Sequence, residues 1–100
     1  MINLINPMKT IEVIEKEDIS NVSFTKREVI SDPEERKNRM ADLYRSQTLG
    51  NLLRTKVKLT FKSADEKIFQ VYTTVWAVGT DFVSLKGGVY IPISSILKVD

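Results

Sequence analysis

Between positions 36 and 62 the chain carries Arg36, Lys37, Arg39, Arg45, Arg54, Lys56, Lys58 and Lys62 against a single acid, Asp42, a local balance of +7. The whole chain has 15 Lys and Arg against 13 Asp and Glu, a net charge of +2, so charge is segregated along the sequence. Cations gathered on one surface neutralise phosphates and release condensed counterions, which gives affinity for RNA or DNA without reading its sequence. These eight are the candidate nucleic-acid-binding residues. The plainer alternative is a solvated face. Alternate lysines on a strand meet water and discourage edge-to-edge pairing, and Arg36 and Arg39 stand one helical turn from Asp32 and Glu35.

Three aromatic residues form a second set. If the odd positions of the strand at 68–78 face inward, Tyr72, Thr74 and Trp76 face outward, and Tyr90 lies opposite Ile91 in its own strand. Exposed rings beside Lys86 stack on bases or on a partner's apolar groups. Alternatively, a helix stripe of Met40, Leu43 and Tyr44 covers them. Tyr72, Trp76 and Tyr90 are the candidate interface residues, and self-association is the partner they suggest if nucleic acid is not.

The missing residue types narrow the chemistry further. There is no Cys and no His, so thiolate nucleophiles, imidazole bases, disulfides and Cys-ligated zinc are excluded. Paired-carboxylate catalysis needs a cleft holding two acids a few ångströms apart, which a chain of 100 residues seldom builds. No enzyme, cofactor, metal site or small-molecule substrate is expected. Gly87-Gly88 is too short for a phosphate loop and has no Gly-Lys-Ser/Thr after it, so it reads as a hairpin turn. Asp65, Glu66 and Asp81 are turn acids without the alternating pattern of a calcium loop.

Positioning these side chains requires one domain's worth of structure. Hydrophobic residues make up 42% of the chain, enough for one core. No run of apolar residues is long enough to span a membrane, and the start lacks the pattern of a secretory signal, so no membrane partner and a cytoplasmic location are expected. Residues 1–30 read as an N-terminal arm, partly extended or disordered, with an acidic first 25 residues. Residues 31–100 hold the domain. Asp32 is placed to cap a helix with Pro33 at its first position and Glu35 completing a capping box. Met40, Leu43, Tyr44 and Gln47 fall on one stripe, and Gly50 is placed to end the helix, which the spacing puts at 33–48.

Five strands follow. Val57, Leu59 and Phe61 alternate with Lys58, Thr60 and Lys62, the mark of a strand with one buried and one wet face. After a turn at 63–67 comes the long strand of 68–78, with Phe69, Val71, Val75 and Ala77 on one side. Turns at 79–81 and Gly87-Gly88 separate two more strands, and a corner at Ser94-Ser95 precedes the last. The expected class is α+β, mainly β: an N-terminal helix followed by a five-stranded antiparallel Sm/SH3-like barrel, closed so that no edges remain.

Val57-x-Leu59 resembles the first strand of Sm-like proteins, and Thr80-Asp81-Phe82-Val83-x-Leu85 resembles the turn into their third. Val89-Tyr90-Ile91-Pro92-Ile93-Ser94-Ser95-Ile96 resembles the fourth strand, corner and start of the fifth. The likeness covers about residues 33–99 and implies a small barrel with ring-like assembly. Sm-like proteins usually carry a glycine in the second strand, and residues 70–78 have none. The bacterial RNA chaperones of that superfamily carry a Lys-His pair where this chain has Ile91-Pro92, so their RNA-contacting residues do not transfer. The whole chain is also similar to small uncharacterised bacterial proteins sharing the Leu49-Gly50-Asn51-Leu52 and Ile91-Pro92-Ile93 stretches. The function expected is a non-enzymatic binding module for nucleic acid, using the helix and first strand. The alternative is a homo-oligomeric interaction or scaffolding module.

Overall fold

Period-two alternation and one capped helix translate directly into elements. In the computed structural model, which describes residues 10–100, the chain forms β1 (Ile11–Val13), a 3₁₀ turn (Lys16–Asn21) and helix α1 (Pro33–Leu53). Strands β2 (Val57–Lys62), β3 (Ile68–Thr73), β4 (Val75–Val78), β5 (Phe82–Leu85), β6 (Val89–Pro92) and β7 (Ile96–Val99) follow, with a 3₁₀ turn at Ile93–Ser95 before the last. What the sequence suggests for residues 1–9 lies outside the described residues.

The start of α1 follows its sequence signals. Asp32 Oδ1 accepts the Glu34 N–H at 3.1 Å, and Pro33 occupies the first turn, where its missing N–H costs no hydrogen bond. Glu35 makes no reciprocal bond among the described residues. The end departs from expectation. The helix continues through Gly50 to Leu53, and Arg54, at φ 57°, takes the left-handed cap with its N–H on Gly50 O. Gly50 meets a different need: a Cβ there would sit 2.5 Å from Val75 O and 2.9 Å from Thr74 Cγ2. Only a bare Cα lets α1 approach β4 so closely.

The buried stripe of α1 is Arg39, Leu43, Ser46 and Gly50, the i, i+4, i+7, i+11 line of a single helical face. Tyr44, expected on that stripe, is 49% exposed. Both polar members of the buried stripe have partners. Ser46 Oγ donates to Asp42 O at 2.8 Å, and Arg39 binds Glu28.

A single closed five-stranded barrel is not what forms. The strands make two sheets, ordered β1-β3-β2-β7 and β4-β5-β6. The predicted long strand is divided at Thr74. Thr74 belongs to neither β3 nor β4, and those strands lie in different sheets, so the chain bends there and passes from one sheet to the other. The bend is held by Thr74 O, which accepts the Lys86 N–H at 3.1 Å, and by the Thr74 hydroxyl, which donates to Arg54 O. A bulge between Val75 and Ala77 then resets the parity. Thr74, expected outward, is buried, and Ala77, expected inward, is exposed.

Nor is the first sheet purely antiparallel. β1 pairs parallel with β3, Ile11 beside Ile68 and Val13 beside Gln70. The 3₁₀ turn after β1 places Ile19 in the core at 1% exposure, with Leu43, Leu59, Phe61, Val71, Val75, Val83, Leu85, Ile91 and Ile96. The β5–β6 hairpin turns through Gly87 (φ 98°) and Gly88 (φ 81°), left-handed conformations that glycine adopts without steric cost. The fold is mixed α+β, mainly strands, with two sheets and one main helix among the described residues.

Candidate nucleic-acid interface

The eight cations do not form one patch. Arg39 is 6% exposed, and its guanidinium grips both Glu28 carboxylate oxygens at 2.7 Å while also donating to Ile96 O at 2.9 Å. It is a structural residue, unavailable to a phosphate, and its partner is not the Asp32 or Glu35 suggested by helical spacing. Arg36 donates to Ser31 O at 3.2 Å. Arg45 pairs with Asp42 at 2.7 Å. Lys37 is exposed and unpaired among the described residues, and Arg54 is exposed at the helix cap. The helix therefore offers no continuous basic face.

The strand lysines behave differently. In β2 the apolar residues Val57, Leu59 and Phe61 point into the core, which forces Lys58, Thr60 and Lys62 onto the opposite face. The β2–β3 register sets Lys58 opposite Tyr72, Thr60 opposite Gln70 and Lys62 opposite Ile68. β7 adds Lys98 opposite Thr60. Lys56 Nζ lies 5.7 Å from the centroid of the Tyr72 ring, within cation–π range. One sheet face thus carries Lys56 and Lys58 beside Tyr72, which is 64% exposed, with Lys62 at the far end of β2 and Lys98 on β7. At its centre Gln70 Nε2 donates to Thr60 Oγ1 at 3.1 Å, holding both amide and hydroxyl in place. Asp100 offsets part of the charge by pairing with Lys98 at 3.6 Å.

The aromatic candidates separate. Tyr72 belongs to this basic face. Tyr90, 61% exposed, stands in the cross-strand row Ala77–Ser84–Tyr90 on the outside of the three-stranded sheet. Trp76, 48% exposed, sits at the β4 bulge. The helix stripe buries none of the three.

Sequence reasoning missed Lys98: strict alternation gives it the parity of Ile96, which is fully buried, and only the register shift between β2 and β7 sets the two on opposite faces. Which lysines share a sheet face with Tyr72 depends on register between strands distant in sequence. Among the described residues no group of three or more carboxylates gathers to hold a metal ion, and no helix is long and apolar enough to cross a membrane. Comparison with known proteins identifies no relative: no family model matches the chain, and neither a curated protein nor a solved structure does.

Proposed function

We propose that this protein binds nucleic acid on the outer face of its four-stranded sheet, with Lys56, Lys58, Lys62 and Lys98 contacting phosphates and Tyr72 stacking on a base. The observation that carries the reading is the placement of Lys58 directly across from Tyr72 with Lys56 over the same ring. That arrangement sets positive charge beside an accessible aromatic plane, the pairing by which flat β surfaces hold nucleic acids without reading sequence. The reading shifts the contact surface from the helix to the sheet. It does not depend on the likeness to Sm-like chaperones, whose Lys-His pair has no counterpart at Ile91-Pro92.

Fluorescence anisotropy with labelled oligonucleotides at low salt tests it. Charge reversal at Lys58 and Lys62 together is expected to weaken binding by at least about tenfold. The logarithm of the affinity should fall with log salt at a slope of about −3, the value for four lysines each neutralising one phosphate. No binding at low salt to RNA or DNA, single- or double-stranded, overturns the proposal.

A further inference from the structure

Resting on that reading, we infer that the bound molecule is a single strand running from Tyr72 along β2 into a second contact, where Lys26 and Arg27 hold its phosphates. Three features of the molecule lead there. Tyr72 is 64% exposed, and the ring face away from Lys56 is usable only by bases that are not already stacked inside a duplex. Lys62 ends the outward row of β2, and it also lines a groove of about 630 Å³ with Phe24, Thr25, Lys26 and Arg27. That groove is built rather than incidental. Phe24 forms a β-bridge with Ser63, the Ala64 N–H donates to Ser23 O at 2.7 Å, and the Thr25 N–H reaches Lys62 O at 3.5 Å. Residues 23–25 are thereby fixed along the end of β2, which sets Lys26 and Arg27 beside Lys62.

The side chains of Lys26 and Arg27 are exposed and make no ion pair among the described residues. Two acids also line the groove, Glu28 and Glu66. Lys26, Arg27 and Lys62 outnumber these two acids, and the charge of Glu28 is engaged by Arg39. Phe24, packed on Phe61 with ring centroids 5.5 Å apart, forms the apolar wall. From Lys58 to Lys62 the strand advances about 13 Å, so a ligand touching both Tyr72 and the groove is an oligonucleotide and not a mononucleotide. Counted along the sequence, Lys26 and Arg27 follow an acidic arm and stand apart from the basic stretch. Only folding brings them to its end.

The test uses the full chain and oligothymidylates of about two and about twelve nucleotides, with a duplex of about twelve base pairs for comparison. Variants are Tyr72→Ala, Lys26→Gln with Arg27→Gln, and all three together. On the long probe each lesion is expected to weaken binding about tenfold, and the combined variant about a hundredfold, because distant contacts on one ligand act independently. On the short probe the combined variant should lose no more than the worse of its parents, since that ligand cannot reach both contacts. If the groove pair leaves the long probe unaffected, or the duplex binds as tightly as the single strand of equal length, the single-strand path is overturned while the sheet-face site stands. Failure of the unaltered protein to bind any probe removes both.

Discussion

Arg39 shows how a charge run read as one surface divides on folding. Burying a guanidinium costs several kcal/mol that pairing offsets; here Glu28 and the Ile96 carbonyl take both terminal nitrogens, while Nε is buried without a partner among the described residues. Burial by itself raises the pKa of the Glu28 carboxyl, but hydrogen bonds from Arg39 and the Ile30 N–H, with the charges of Arg39 and Arg36, outweigh it and hold the value below the ordinary 4.5. A folded pKa below the unfolded one means the ionised carboxylate stabilises the fold above about pH 4.5, and that stability is lost as pH falls through the folded value. Chemical denaturation across that acidic range is therefore expected to show a loss of stability that Glu28→Gln removes. Arg39→Ala at neutral pH should cost about 2 kcal/mol, because it deletes a buried side chain and leaves the buried Ile96 carbonyl without its donor. A cost under about 0.5 kcal/mol would show that the bridge is only a surface pair.

At the scale of elements, the contact between α1 and β4 depends on Gly50. In an exposed helix, replacing glycine with alanine gains about 1 kcal/mol. At this position the added methyl would fall 2.5 Å from the Val75 carbonyl oxygen, a backbone atom that cannot swing aside. The expected result for Gly50→Ala is a net loss of at least about 1 kcal/mol in urea denaturation, since forced separation of packed elements costs more than helix propensity returns. A stabilised variant would mean that α1 moves freely over β4. The same helix shows why its N-terminus was legible and its C-terminus was not. Asp32 and Pro33 act on neighbouring amides, whereas the role of Gly50 is defined by a strand met twenty-five residues later.

For the molecule as a whole, the segment at 10–30 is part of the folded domain. β1 extends the four-stranded sheet and Ile19 sits in the core at 1% exposure. Truncating a buried isoleucine to alanine costs about 2–5 kcal/mol, so Ile19→Ala is expected to lower global stability by that amount in a single cooperative transition. Loss of only the arm's own signal, with the sheets unfolding as before, would show that the segment is an independent attachment. The arrangement also explains how a chain of net charge +2 presents a basic surface. Strand alternation sends lysines to one face of the first sheet, while Glu12, Glu15, Glu17 and Asp18 are spent on the segment around β1 and the 3₁₀ turn.

Local physics made several features readable from the sequence: the cap at Asp32, the inward Val57, Leu59 and Phe61 of β2 though not the burial of Thr60, and the Gly87-Gly88 hairpin. Each depends on residues within a few positions of one another, where dihedral preference and side-chain period act directly. The tertiary structure decided the rest. It divided the long strand at Thr74, buried Arg39 against Glu28, set Gly50 beneath β4, and brought Tyr72, Lys98 and Lys26 toward the lysines of β2. Those outcomes follow from strand register and close packing between distant segments, and no local pattern encodes which residues will meet across a sheet.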